Sequence, residues 1–263
     1  MTPSAVLFSG GLDSAVLLAL ECRDHAPVHP IHIRAGLAWE DAEAIAIRSL
    51  LAAEPYASRV TPLSTLTVDM REIYPPTHWA VVGTPPAFDT PDEDVYLEGR
   101  NVILIAKASV LCARLGVGRL ALGPLAGNPF PDARPEFFAT MAQALSIGLD
   151  RPFEIATPLA HLHKEQVVTL GLDLTVPLEL TLSCMRRGTE PFSTDRGILG
   201  TEVAGSSDPA TSVPKIPRSV EKGSVPLRVP LHCGICSKCR ERRDAFIAAG
   251  VEDRTAYAVA PAR

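Results

Sequence analysis

Short apolar runs alternate with longer helical patterns over the first two thirds of the chain. Ala5 to Phe8 form the first strand-length run, and residues 14–22 follow with the valine and leucine content of a buried helix. The later elements predicted in this way are strands at 28–33, 66–70, 119–123 and 153–156 and helices at 40–53, 101–116, 135–149 and 163–172. Such alternation predicts an α/β fold with a doubly wound, Rossmann-like parallel sheet.

The alternation stops near residue 183. Residues 186–231 are rich in proline, glycine, serine and charged side chains, which is typical of an irregular or flexible insertion. We therefore predict an α/β domain over 1–183 and a C-terminal region over 184–263 that contains the insertion. A further proline- and threonine-rich stretch, 71–99, predicts a long loop over one edge of the sheet.

Composition excludes several classes of protein. The net charge of −5 gives no general basis for binding nucleic acid directly. The first residues lack a basic leader and no apolar run approaches the length of a bilayer, so we expect a cytoplasmic protein without a membrane partner.

Cys22 and Cys112 fall in apolar helices and are expected to be buried. Six cysteines in such a protein indicate a metal site or reactivity before disulfides.

The sequence SGGLDS, Ser9 to Ser14, lies between the first predicted strand and helix. Glycines there let a ligand approach the backbone, and the start of a helix attracts an anion such as phosphate. An ordinary glycine turn capped by Asp13 or Ser14 is the alternative. The strand before and the helix after it favour phosphate binding, although the lysine of the P-loop and the spacing of GxGxxG are absent. Asp13 is an anion, so its expected role is to bind Mg²⁺ or to orient the loop.

Three cysteines near the C-terminus have the spacing of metal ligands. Cys233, Cys236 and Cys239 are separated by two residues each, which lets their thiolates converge on one ion. Cys184 is the expected fourth ligand, with His232 in reserve. Zn²⁺ is the expected metal, and an iron–sulfur cluster is the alternative because thiolates at these intervals also hold one.

Several segments together resemble a known family. They are AVLFSGGLDSAVLL, GRNVILIAKAS, FPDARPEF, TPLAHLHKEQVVTLGL, VPLELTLSC and HCGICSKCRERRDAF, and they span most of the chain in the family's order. SGGLDS is the signature of the PP-loop ATP pyrophosphatases. Within that superfamily the chain resembles the 7-cyano-7-deazaguanine synthase family of queuosine biosynthesis, as a divergent member.

The resemblance implies a set of site residues. It assigns the ATP-binding loop to Phe8, Ser9, Gly10, Gly11, Leu12, Asp13, Ser14, Ala15, Val16, Leu17 and Leu18. It assigns the zinc ligands to Cys184, Cys233, Cys236 and Cys239. It assigns catalytic roles to Asp13, Arg100, Lys164, Asp132 and Arg134, with Arg100 near the phosphates and the pair Asp132 and Arg134 in the substrate loop.

The resemblance also implies an AMP-forming carbon–nitrogen ligase that uses ATP and Mg²⁺. A carboxylate, most closely 7-carboxy-7-deazaguanine, is adenylated and captured by ammonia to give an amide, and a second adenylation leads to the nitrile. The implied partners are therefore a small-molecule substrate and ammonia. The oligomeric state is left open, with a homodimer as one candidate.

Three departures from the family pattern keep other functions open. RAGLAW at 34–39 replaces a tyrosine-glycine-glutamine type sequence, no acid precedes Asp132 in GPLAGNPFPD, and the insertion separates Cys184 from Cys233. One alternative is a related PP-loop enzyme that adenylates another carboxylate or nucleobase. Another is a tRNA-thiolating relative with an iron–sulfur cluster, and a third is a non-catalytic module that binds nucleic acid or protein through its C-terminal arginines.

Overall fold

The computed structural model describes residues 1–186, 192–193 and 228–259. The main strands are β1 Ser4–Leu7, β2 Val28–Arg34, β3 Ser64–Thr67, β4 Arg119–Ala121 and β5 Glu154–Ala156. The helices are α1 Leu12–Asp24, α2 Glu40–Ala52, α3 Trp79–Val82, α4 Arg100–Leu115, α5 Pro135–Gly148, α6 Lys164–Asp173 and α7 Ser237–Ala248. None of the helices in these ranges is both long and apolar enough to cross a membrane.

The five main strands form one parallel sheet in the order β3-β2-β1-β4-β5. The chain builds outward from β1 to β3 and then returns to the other side of β1 with β4. This reversal makes the carboxyl ends of β1 and β4 a topological switch point, where open α/β sheets bind their ligands. The doubly wound α/β prediction is therefore confirmed, and the SGGLDS loop follows directly after β1.

Helices cover both faces of the sheet, which explains why its strands read as continuous apolar runs. Successive residues of a strand point to opposite faces. Val6 accordingly joins the core formed with α1, α2 and α6, whereas its neighbour Ala5 joins the core formed with α4 and α5. The short apolar stretch of β1 thus anchors two separate cores.

Two sequence predictions need correction on the far edge of the sheet. The third strand, expected at 66–70, is Ser64–Thr67, and the register that pairs Ile31 with Ser64 fixes it two residues earlier. Met70 instead begins a short 3₁₀ turn capped by Asp69, whose carboxylate accepts from the Arg71 N–H at 3.0 Å. The stretch 71–99 is also more than a loop, because it contains α3 and a second 3₁₀ turn.

The predicted insertion lies mostly outside the described residues. At its ends, Phe192–Ser193 pair antiparallel with Arg228–Val229. The Arg228 N–H donates to Ser49 Oγ at 3.0 Å, which ties this ladder to α2. The two ends of the insertion are therefore part of the fold.

A buried arginine holds α7 against the main domain. Arg242 is 1% exposed, and its guanidinium donates to Thr181 Oγ1 at 2.7 Å and to the Leu178 carbonyl at 2.8 Å. It also donates to Thr255 Oγ1 at 2.6 Å and stacks 5.2 Å from the centre of the Phe246 ring. These neutral acceptors take up most of its donors, so the helix that follows the cysteines has a fixed position.

We expect Arg242→Met to lower the free energy of unfolding by about 2–4 kcal/mol, because several buried oxygen atoms would lose their hydrogen-bond donor. Chemical denaturation measures the change. Arg254→Met is the matched control, since that side chain is 76% exposed and pairs only with Glu252 at the surface; it should cost less than about 0.5 kcal/mol. Equal effects for the two variants would show that Arg242 does not anchor α7.

Candidate active site

The conformation of the SGGLDS loop requires glycine at position 10. Gly10 has φ +75°, and a Cβ there would lie 3.0 Å from the Cγ1 atom of Ile47 on α2. Its carbonyl accepts from the Leu182 N–H at 2.9 Å, which ties the loop to the segment that leads to Cys184. The loop is therefore packed against Ile47 of α2 on one side and hydrogen-bonded to Leu182 on the other.

The loop presents the amino terminus of α1 to the cleft. Gly11 is the N-cap residue and no side chain caps the helix. Ser14 Oγ donates to the Gly11 carbonyl at 3.0 Å and lies 3.2 Å from Ser9 Oγ, which keeps the turn closed. Uncapped N–H groups at the positive end of a helix dipole suit an anionic ligand.

Beside this helix start, Lys164 lies between two carboxylates. Its Nζ is 2.6 Å from Asp13 Oδ2 and 3.0 Å from Glu241 Oε1. Burial alone would lower the pKa of Lys164, but Asp13 and Glu241 outweigh it and raise that pKa. Burial would likewise raise the pKa of Glu241, but Lys164 and Lys238 lower it to about 2. Lys164 and Glu241 are thus both ionised at neutral pH.

These charges line a cavity of about 400 Å³, named here the loop cavity. It extends from the SGGLDS loop to Cys184 and is bordered by Lys238 and Asp92, whose Nζ and Oδ1 atoms are 3.7 Å apart. Glu241 and Lys238 were not predicted as site residues. They belong to α7, and the sequence carries no signal for how that helix packs on α6.

A second cavity of about 280 Å³, named here the strand-end cavity, lies over the ends of β1, β2 and β4. Its walls include Phe8, His32 and Arg100 together with apolar side chains. His32 is buried, and its Nδ1 lies 3.2 Å from the Phe8 carbonyl. Burial lowers the pKa of His32, so this ring is neutral at neutral pH. The two cavities share Ser9, Gly11, Asp13 and Arg100 among other residues.

The four predicted cysteine ligands come together beside the loop cavity. Cys184, Cys233, Cys236 and Cys239 are buried, and their sulfur atoms lie within 4.8 Å of one another. The Sγ of Cys239 is 3.8 Å from that of Cys233 and 3.4 Å from that of Cys236. A tetrahedral zinc site with Zn–S bonds of ~2.3 Å has sulfur atoms ~3.8 Å apart. The donor set therefore fits a metal ion.

His232, the reserve ligand, has a different role in the structure. It is fully buried, and its Nε2 accepts from the Ser183 N–H at 2.9 Å. The histidine thus orients the segment that carries Cys184. The four cysteines form the ligand group without it.

A family model described as queuosine biosynthesis protein QueC matches residues 4–194. The match spans the sheet, the SGGLDS loop and Cys184, and it covers more than half of the chain. The chain belongs to the QueC family. The family resemblance inferred from the motifs is confirmed, and so is an enzyme of the PP-loop type.

Curated relatives named 7-cyano-7-deazaguanine synthase are similar over nearly their whole length. The one from Methanothrix thermoacetophila is 28% identical and covers 98% of this chain and 99% of its own. The one from Thermoplasma volcanium is 31% identical and covers 86% of this chain and 96% of its own. These identities are those of a divergent QueC member.

Two solved structures overlap less with this chain. A 4-thiouridine synthetase in complex with RNA and ATP is 15% identical, with a TM-score of 0.45 over 68% of this chain and 42% of its own. A predicted subunit of tRNA methyltransferase from Methanocaldococcus jannaschii is 16% identical, with a TM-score of 0.43 over 65% of this chain and 75% of its own.

Within this QueC chain, the predicted ATP-binding stretch divides into two parts. Residues 8–14 lie at the cavities or in the turn between them. Ala15, Val16, Leu17 and Leu18 are fully buried in the core between α1 and the sheet. Only the first seven residues therefore border the cavities, and the other four anchor the helix; binding of ATP by this stretch stays a prediction.

The predicted substrate-loop residues occupy different environments. Asp132 is buried, its Oδ2 accepts from the Asn101 N–H at 3.0 Å, and its carbonyl accepts from Asn101 Nδ2 at 3.1 Å. Burial raises the pKa of Asp132. It therefore fixes the start of α4 and the neighbouring Arg100. Arg134 is exposed and lies outside both cavities, so its catalytic role stays a prediction.

We expect Cys236→Ser to lose the bound metal and to unfold at a lower temperature, because a structural metal contributes directly to folding. Elemental analysis of the purified protein should give one zinc per chain before the substitution and almost none after it. Cys112→Ala is the control, since Cys112 is buried away from the cluster; its zinc content should not change. Iron with labile sulfide in place of zinc would contradict the zinc assignment.

Proposed function

We propose that this QueC-family chain is an AMP-forming synthase that converts 7-carboxy-7-deazaguanine to 7-cyano-7-deazaguanine with ATP and ammonia. Family membership and the names of its curated relatives support the reaction. The observation that carries the proposal is the ion pair of Lys164 with Asp13 at the amino terminus of α1. A cation and a carboxylate suited to bind a metal therefore lie beside a helix start suited to phosphates, which supports the proposal.

In this proposal the phosphates of ATP lie on the backbone of Ser9 to Ser14. Asp13 fits Mg²⁺, because its Oδ1 is buried without a hydrogen-bond partner among the described residues. Mg²⁺ is usually held by one or two carboxylates together with substrate phosphates, and when bound it would neutralise phosphate charge. Lys164 and Arg100 border the same cavity and would stabilise charge that develops on the α-phosphate.

The chain's contribution to the chemistry is mainly to position two substrates. The carboxylate of the deazaguanine attacks the α-phosphorus and releases pyrophosphate, and ammonia then displaces AMP to form the amide. A second adenylation, on the amide oxygen, allows loss of AMP to form the nitrile. The two cavities share the loop residues Ser9, Gly11 and Asp13. Adjoining cavities of this kind are suited to hold the nucleotide and the carboxylate substrate next to each other.

The two cysteines outside the cluster are poorly suited to carry sulfur as a thiolate. Four of the six cysteines form the metal cluster, and the remaining two, Cys22 and Cys112, are buried in helices. Burial raises the pKa of Cys22 to about 11 and that of Cys112 to about 12, so neither supplies a thiolate near pH 7. Free thiols of this kind also suit the reducing cytoplasm in which we place the reaction.

Incubation with ATP, ammonia and 7-carboxy-7-deazaguanine should give AMP, pyrophosphate and the nitrile, resolved by chromatography and mass spectrometry. Asp13→Asn should reduce turnover at least a hundredfold, because it removes the metal-binding carboxylate and one partner of Lys164. Asp173→Asn, at the exposed end of α6, should retain full activity. ADP as the main product would contradict the proposal, whereas AMP with an amide product would indicate a related PP-loop enzyme.

A further inference from the structure

Glu43 on α2 lies in the wall that separates the loop cavity from the strand-end cavity, and it lines both. Its Oε1 accepts from the Trp39 Nε1–H at 3.2 Å. Its other carboxylate oxygen has no hydrogen-bond donor among the described residues. Glu43 therefore offers a free acceptor at the place where the two cavities meet.

The surroundings of Glu43 set its proton affinity. Burial raises the pKa of Glu43, and the nearby Glu40 raises it further. Arg100 and the hydrogen bond from Trp39 lower it, and the result is a pKa of about 7. The other titratable groups that line the two cavities are Asp13, Asp92, His32, His163, Lys164, Glu165, Cys184, Lys238 and Glu241. A carboxyl group of this kind exchanges a proton readily near neutral pH.

The neighbouring acids are less suited to accept a proton. The pKa of Glu241 is about 2 and its carboxylate is paired with Lys164 and Lys238. Asp13 is paired with Lys164, and Asp132 is bonded to Asn101. Glu43 has no cationic partner within ion-pair distance among the described residues. Glu43 thus combines a free carboxylate oxygen with a pKa near neutral at the cavities.

We propose that Glu43 is the proton acceptor when ammonia attacks the acyl-adenylate, a step that rests on the proposed function. The nitrogen lone pair forms a C–N bond with the acyl carbon, and an N–H proton of the resulting ammonium passes to the free Glu43 oxygen. The C–O bond to AMP then breaks, and AMP leaves with the bonding electrons. The protonated Glu43 returns its proton to water, so the group is regenerated.

The test separates adenylation from nitrogen transfer in the full-length protein. Exchange of labelled pyrophosphate into ATP, with the carboxylate substrate present and ammonia absent, reports adenylation alone. Glu43→Gln should leave this exchange within about twofold and slow amide formation at least a hundredfold, the usual range for a lost general base. Asp41→Asn, two residues away with its side chain 90% exposed, should change neither rate.

The pH profile gives a second readout that a structural role would not move. At a fixed concentration of free NH₃, amide formation should rise with pH as Glu43 loses its proton, with a midpoint near its pKa of about 7. Trp39→Phe removes the hydrogen bond that favours the carboxylate, so the midpoint should move to higher pH. Glu43→Gln should lose the midpoint near pH 7 and recover part of its rate at a high concentration of free ammonia.

Equal losses of exchange and amide formation in Glu43→Gln, or an unmoved midpoint in Trp39→Phe, would overturn the role of Glu43. Absence of pyrophosphate exchange in the unaltered chain would overturn the proposed function itself, and the role of Glu43 with it. If the unaltered chain catalyses pyrophosphate exchange and Glu43→Gln forms the amide at the normal rate, the proposed function stands and the role of Glu43 alone is overturned.

Discussion

The ammonium group of Lys164 joins the two halves of the chain. It bonds Asp13 at the start of α1 and Glu241 on α7, residues that are far apart in sequence. A buried lysine is costly without compensating charge, and both carboxylates favour its ionised form. This one cation therefore fixes the phosphate loop, α6 and α7 in a single arrangement, and the loop cavity exists because they meet there.

The cysteine cluster and Arg242 hold helix α7 in place. Cys236 is the N-cap residue of α7 and Cys239 lies in its first turn, so metal binding would fix the end of the helix that carries Glu241. Arg242, one residue further, secures the helix to the segment that leads to Cys184. A metal bound to these cysteines would therefore support the candidate active site by holding α7 in place.

Local pattern sufficed to predict the sheet, the turn from strand to helix at SGGLDS and the convergence of the four cysteines, because each depends on residues that are close in sequence or on a distinctive spacing. The position of β3 was misjudged because its end depends on pairing with β2 and on the Asp69 cap. Glu43 and Glu241 were missed for a related reason. Each resembles an ordinary helical surface acid, and only the packing of α2 and α7 around the loop encloses it.

Hydrogen exchange with and without a non-hydrolysable ATP analogue tests most directly whether the loop and α7 form one site. Lys164 cannot turn toward phosphate without changing its contact with Glu241, so the analogue should alter exchange in Gly10–Ser14 and in the first turn of α7 together. The outer surfaces of α4 and α5 should not respond. A change confined to the loop, or one that appears only at α4 and α5, would contradict this account.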